Sequence, residues 1–238
     1  MKVLSVICLL IVLGLAYHNK GCAATERESL VIFYKSLKGS SWTKPWPIAD
    51  AEKSHCQWPG VICNSAGKVT HLHLADNNLR GTLPKTTYCY KYLQTLDLNK
   101  NSIAGSILDQ PNEGITKLKF LKVLGLGHNR LQGAIPEGLC KLHDSLQYLV
   151  LENNFISGSI PECFDERFTH SLKTFNVKCN RLSGSIPIGF KNMEALRSLW
   201  INCQVPGFTP CCCPLYELPA HIDLKCGDLK CEEKCDSK

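Results

Sequence analysis

Two histidines and an aspartate on neighbouring predicted strands have the spacing that could hold a metal ion. His71 and His73 are two positions apart, and Asp97 falls beside His73 on the next predicted strand. Side chains two apart on a strand point to the same side, and imidazole and carboxylate groups are common metal ligands. Three ligands on a strand pair are few, however, and solvated surface residues show the same pattern. We therefore predict neither a metal nor a cofactor.

The sequence shows no recognisable catalytic arrangement. No Ser/His/Asp order, Cys/His pair, glycine-rich phosphate loop or His-Glu-x-x-His motif occurs in a context that assembles an active site. Asp97 and Glu152 do not form a recognisable glycosidase pair of carboxylates. The sequence therefore predicts a protein that binds a partner and is not an enzyme.

The elements that position these residues are repeats. Between Leu121 and Pro187 a pattern of the form Leu-x-x-Leu-x-Leu-x-x-Asn-x-Leu-x-Gly-x-Ile-Pro occurs three times, with two leucines replaced by Phe175 and Val177 in the third copy. A period of about 25 residues that holds a strand-like Leu-x-Leu and an Asn is a leucine-rich-repeat signature. Leucines two apart on a strand enter the core, and the residues between them face outward.

Six strand units carry this pattern. They begin at Val69, Leu93, Leu121, Leu146, Leu172 and Leu196. A buried amide can bond backbone groups where the chain leaves each strand, so we predict a structural ladder of asparagines, with Gln204 in the sixth unit. The ladder consists of Asn77, Asn101, Asn129, Asn154 and Asn180. An insertion at 109–114 in the second unit should bulge outward.

An N-terminal cap is predicted ahead of the first unit. Thr25 and Glu28 match a helix capping box, apolar residues then recur at helical spacing, and Gly39 is placed to end the helix. Cys56 and Cys63 can close a short loop around a Trp, which shields the open end of a repeat stack.

The N-terminal segment and the number of cysteines both indicate secretion. Lys2 and an apolar run from Val3 to Tyr17 predict a signal peptide, cleaved after Ala23 or after Ala16. With 15 cysteines in the chain, an oxidising compartment and disulfides are expected instead of metal sites. The expected divisions are a signal peptide at 1–23, the cap at 24–68, six repeats at 69–205 and a cysteine-rich C-terminal cap at 206–238. No other segment predicts a membrane span, so we expect a released protein.

The repeat pattern, together with the Cys-x-Trp-x-Gly-Val-x-Cys segment that ends at Cys63, resembles the plant-type leucine-rich-repeat family. Its members include receptor-kinase ectodomains, receptor-like proteins and polygalacturonase-inhibiting proteins. The resemblance covers roughly 25–204. It implies an α/β solenoid, a right-handed curved superhelix with a parallel β-sheet on its concave side, used to recognise proteins, peptides or glycans outside the cell.

Two disulfides are predicted within the repeats. Cys179 and Cys203 occupy the same position in neighbouring coils, and strands about 4.8 Å apart suit a disulfide. Cys140 and Cys163 also lie one coil apart, out of register by two residues, and the resemblance to receptor-like proteins supports this pair. The partners of Cys22 and Cys89 are left open.

The concave face is the predicted binding surface. Four outward positions on six strands give about 24 residues, as on one side of a standard interface. Interface energy concentrates in Trp, Tyr and Arg, with charges adding specificity. The predicted ligand-binding residues are His73, Asp97, Tyr148, Glu152, Lys178 and Trp200. Packing under the C-terminal cap is the alternative role for Trp200.

The predicted function is secreted recognition of an extracellular protein, peptide or glycan, with a cell-surface receptor among the expected partners. Inhibition of a secreted hydrolase and a structural role in a wall or matrix are the alternatives. The net charge of +6 is spread along the chain, which argues against a nucleic-acid partner.

Overall fold

The structure is a computed structural model that describes residues 22–23, 25–107, 114–201 and 223–226. It contains one α-helix, α1 (Glu26–Ser36), within these ranges. The strands in chain order are β1 (Val61–Cys63), β2 (Val69–His73), β3 (Arg80–Thr82), β4 (Thr95–Asp97), β5 (Ser102–Gly105), β6 (Val123–Gly125), β7 (Arg130–Gly133), β8 (Tyr148–Val150), β9 (Phe155–Gly158), β10 (Thr174–Asn176), β11 (Arg181–Leu182), β12 (Ser198–Ile201) and β13 (Asp223–Cys226). None of the helices in the described ranges is long and apolar enough to cross a membrane.

The larger sheet has eight strands in the order β1-β2-β4-β6-β8-β10-β12-β13. The pair β1–β2 is antiparallel, and the pairs that follow are parallel. All six strands predicted from the leucine pattern lie next to one another in sequence order, as a solenoid requires. Strand β13 extends the sheet by one parallel strand, within the segment predicted as a C-terminal cap.

A second sheet, which sequence analysis did not predict, follows the asparagine positions. It has five strands in the order β11-β9-β7-β5-β3. Its strands are two to four residues long and each contains or precedes a glycine. Gly105, Gly133 and Gly158 have φ between 81° and 85°, a conformation that favours glycine, so glycine sets the bend at the end of β5, β7 and β9.

The N-terminal helix begins as predicted. The backbone N–H of Glu28 donates to Thr25 Oγ1 at 3.1 Å, and that of Thr25 donates to the Glu28 carboxylate at 3.0 Å. The predicted end at Gly39 was wrong. The helix ends at Ser36, and Lys38 takes the left-handed conformation with φ 56°. Gly39 is required for space instead, because a Cβ there would lie 2.2 Å from the Tyr34 ring.

The five asparagines of the predicted ladder lie inside the turn that joins the two sheets. In Asn154, Nδ2 donates to the carbonyls of Leu126 and Leu151 at 2.9 and 3.0 Å, and Oδ1 accepts from Leu131 N–H at 2.9 Å. The remaining ladder asparagines make equivalent bonds or lie equally buried between coils. The later four amides therefore connect their own coil to the preceding one, and Asn77 connects the first coil to the cap by accepting from the Lys44 N–H at 2.7 Å.

Three disulfides join described cysteines. Two are the predicted pairs Cys56–Cys63 and Cys140–Cys163. The third, Cys22–Cys89, ties the segment before α1 to the first repeat. Cys179 is also disulfide-bonded, but Cys203, its predicted partner, lies outside the described residues. The pairing of these two cysteines therefore stays a prediction, as do the signal peptide and most of the C-terminal cap.

Candidate functional site

Strand pairing fixes which side chains lie side by side on the exposed face of the larger sheet. In each strand of this sheet from β2 to β12, three consecutive residues pair with the neighbouring strand. One row of side chains joins the first of these three residues on every strand, and a second row joins the third. The first row is His71, Thr95, Val123, Tyr148, Thr174 and Ser198. The second row is His73, Asp97, Gly125, Val150, Asn176 and Trp200.

The glycines in the centre of this face do not leave an open depression. Asn99 Nδ2 donates to Asp97 Oδ1 at 2.7 Å, and Gly127 N–H donates to Asn99 Oδ1 at 2.6 Å. A Cβ on Gly125 would lie 2.5 Å from Asn99 Nδ2, and one on Gly127 would lie 3.0 Å from Glu152 Cγ. Polar side chains of neighbouring coils therefore fill the space above both glycines.

Glu152 is the centre of a polar network that joins the coils of β6, β8 and β10. Asn176 Nδ2 donates to its Oε2 at 2.8 Å, and Lys178 Nζ lies 3.6 Å from the same oxygen. On the opposite side, His128 Nε2 lies 3.2 Å from Oε1. A carboxylate can accept at both oxygens, so this glutamate holds partners from the two coils that flank its own. The network therefore fixes the positions of these charged side chains on the face.

Each large aromatic residue of this face has a lysine beside its ring. Lys178 Nζ lies 4.7 Å from the Trp200 ring centroid, and Lys173 Nζ lies 6.0 Å from that of Tyr148. Cations attract aromatic faces at these distances. Tyr148 is 38% exposed and Trp200 is half-buried, so both keep surface for a ligand. We call Tyr148, Glu152, Asn176, Lys178 and Trp200 the concave cluster.

The two histidines of the first strand are not assembled into a metal site with Asp97. Their rings stack with centroids 5.6 Å apart. Burial lowers the pKa of His71, and His73 and Lys122 lower that pKa further. Within the described ranges, the one close group of three potential ligands is His55, Cys56 and Cys63, and both of its cysteines are in a disulfide.

Sequence reasoning missed the polar residues that support the cluster. Asn99, His128 and Asn176 each contact one of the predicted carboxylates, but none was predicted as a site residue. A signal for Asn176 was present, because it shares the outward row with Asp97 and Trp200. His128 lies outside that alternation and has φ 54°, so no strand pattern indicates its position.

Comparison with known proteins identifies the repeats. The family model described as Leucine Rich Repeat matches residues 120–142, 145–166 and 171–193. Receptor-like protein 35 of Arabidopsis thaliana is 32% identical over 169 residues, which are 71% of this chain and 16% of that protein. The chain thus spans about a sixth of the length of this curated relative.

Solved structures agree with the sequence comparison. The BIR2 ectodomain from Arabidopsis thaliana is 32% identical with a TM-score of 0.56, and the match covers 70% of this chain and 86% of that one. The Arabidopsis receptor kinase HAESA, in complex with the peptide hormone IDA and the co-receptor SERK1, is 27% identical with a TM-score of 0.66 over 79% of this chain and 30% of HAESA. This chain belongs to the plant-type leucine-rich-repeat receptor-like family.

Proposed function

We propose that this chain is a non-enzymatic, secreted recognition protein that binds an extracellular peptide or protein at the concave cluster. The carrying observation is that three consecutive strands, β8, β10 and β12, present two aromatic side chains, each beside a lysine, around a carboxylate already fixed by hydrogen bonds. Aromatic side chains concentrate interface energy, and fixed charges select partners.

The similar structures support a peptide or protein as the ligand. HAESA is described in complex with a peptide hormone and a co-receptor, and BIR3, also from Arabidopsis thaliana, in complex with SERK2. An extended peptide across β8 to β12 meets Tyr148 first and Trp200 two coils later. At about 4.8 Å per strand, these positions are roughly 10 Å apart, which suits side chains of one peptide.

The test is affinity capture from extracellular fluid with the purified protein, followed by identification of the retained molecules. A variant carrying Tyr148→Ala and Trp200→Ala should lose the retained partner, because truncating a central aromatic residue weakens binding by about 2 kcal/mol or more. Ile188→Ala, at a residue 59% exposed outside the concave cluster, is the matched control and should retain the partner.

One result would contradict the proposal, and a second would identify the purpose of the binding. Retention by the double variant at the wild-type level would place the binding surface elsewhere. Retention of a secreted hydrolase whose activity falls in the complex would support the inhibitor role instead of signalling recognition. Both the proteins and any glycans that elute should therefore be identified.

A further inference from the structure

A pair of aromatic rings at the rim of the larger sheet is not used by the concave cluster. Tyr92 and Phe120 stack with ring centroids 6.0 Å apart and planes inclined by 15°. They are 46% and 54% exposed, so half of each ring faces solvent. Each stands directly before the first core leucine of its coil, at the edge where the chain enters the sheet.

The scaffold does not require aromatic residues at this position. The next three coils have Ser145, Ser171 and Ala195 there, yet the backbone N–H of each core leucine still donates to a carbonyl of the turn before it, four residues back in Leu146 and Leu172. The backbone N–H donates to the carbonyl three residues back in Leu93, Leu121 and Leu196. The two rings are therefore an addition to the repeat and not part of its structure.

The coils that carry Tyr92 and Phe120 also differ in charge from the later coils. Lys91 and Lys119 precede the rings, and Lys122 follows Phe120; all three side chains are exposed. None of them takes part in an ion pair within the described ranges. At the position of Lys91 and Lys119, later coils carry Asp144 and Glu194. We call Lys91, Tyr92, Lys119, Phe120 and Lys122 the rim platform.

The chemistry of the rim platform fits one class of ligand. The C–H face of a sugar ring packs on an aromatic ring through dispersion contacts, and carboxylate or sulfate groups form charge-assisted bonds with lysine. An acidic peptide needs backbone partners or pockets, whereas the backbone N–H groups of Lys122 and Val123 already donate within the sheet. A single-stranded nucleic acid needs a longer basic groove, which the acidic residues of the later coils interrupt.

We propose that the rim platform binds an acidic polysaccharide, with the sugar rings on Tyr92 and Phe120 and the acidic groups on the three lysines. This site is separate from the concave cluster, which lies on later coils. The proposal therefore does not depend on the peptide-binding function.

Direct binding measurements test the proposal with polygalacturonate and dextran sulfate as probes. The protein should bind at least one of them more tightly than it binds poly-L-glutamate or oligodeoxythymidylate, and neutral dextran should not compete. Preference for polygalacturonate identifies carboxylate as the acidic group, and preference for dextran sulfate identifies sulfate. Equal or tighter binding of poly-L-glutamate or of the oligonucleotide would overturn the proposal.

Substitutions assign the binding to these residues. Tyr92→Ser with Phe120→Ser copies the residue found in later coils, so the fold should persist, and affinity for the preferred polysaccharide should fall about tenfold. Lys91→Gln with Lys119→Gln should weaken binding and reduce its salt dependence. Ile188→Ala and Lys141→Gln, at exposed sites elsewhere, should bind like the wild type. Unchanged affinity in the serine variant, or equal losses in the controls, would refute the assignment.

Discussion

Single amide groups connect one coil to the next in this molecule. Asn129 Nδ2 donates to the carbonyls of Leu98 and Leu126 at 3.0 Å each, and its Oδ1 accepts from Ile103 N–H at 3.0 Å. The side chain is 7% exposed, so water does not readily replace these partners. Because a buried polar group without a partner is costly, the amide stabilises the turn more than its size suggests.

Replacing Asn129 by Ala should therefore destabilise the protein strongly. The change leaves the Ile103 N–H unpaired in the interior, and the Leu98 and Leu126 carbonyls each lose one of two amide donors, because Asn101 and Asn154 still donate to them. We expect the free energy of unfolding to fall by about 3 kcal/mol. Urea unfolding followed by circular dichroism measures the difference. Gln132→Ala, which removes an exposed amide from the same coil, should change stability by less than about 0.5 kcal/mol. Similar losses in both variants would show that the buried bonds are not the cause.

Sequence predicted the asparagines but not the residue that ends the first helix. Repetition at a fixed distance from the leucines shows a structural role for Asn129 and its equivalents. Lys38 gives no such signal, because left-handed backbone is rare for lysine and glycine stands next to it. The collision of a Gly39 side chain with Tyr34 depends on tertiary packing, which local pattern does not contain.

At the level of elements, prediction succeeded where a strand buries alternate residues. The large sheet has leucine pairs such as Leu124 and Leu126 that show its period of two. The second sheet has strands such as Arg181–Leu182, which are too short to show alternation. Its strands form because the asparagine turn brings successive coils together. Their pairing is therefore a consequence of the solenoid and not of local sequence.

The two cap disulfides should differ in their contribution to stability. Cys22–Cys89 closes a loop with a sequence separation of 67, and Cys56–Cys63 one of 7. Loop-closure entropy then predicts losses of about 4 kcal/mol for the Cys22→Ala with Cys89→Ala variant and about 2 kcal/mol for Cys56→Ala with Cys63→Ala. Chemical unfolding of each variant measures these losses. A larger loss for the short loop would show that packing around Trp58 matters more than chain entropy.

The long-range disulfide also bears on signal cleavage. A cut after Ala23 removes Cys22 and leaves Cys89 without this partner, whereas a cut after Ala16 retains the bond. We therefore favour the earlier of the two predicted sites. The N-terminal residue of the protein recovered from culture medium decides between them.

At the scale of the whole molecule, the two proposed sites use different parts of one repeated frame. The rim platform lies on the coils of β4 and β6, and the concave cluster on those of β8, β10 and β12. Each coil of a solenoid contacts mainly its neighbours, so stability is close to a sum of coil and interface contributions. Functional residues on distant coils can therefore change independently of each other.

This independence predicts the effect of removing one complete coil. Deletion of 93–120 joins Tyr92 to Leu121, so a core leucine again follows the rim position, and no cysteine is lost. The shortened protein should fold cooperatively with a free energy of unfolding lower by roughly 2 to 3 kcal/mol, or about 5 to 10 °C in Tm. It should lose polysaccharide binding with Phe120 and keep the partner retained by the concave cluster.

A deletion that ignores the repeat provides the control. Removal of 93–106 joins Tyr92 to Ile107, which places a residue from the return path where a core leucine belongs. Because the strand of that coil is then missing while its convex turn remains, the leucines of neighbouring coils lose their packing partners and the variant should not unfold cooperatively. Calorimetry of both proteins distinguishes them. If the shorter deletion were the more stable, the coil would not be the unit in which this molecule folds.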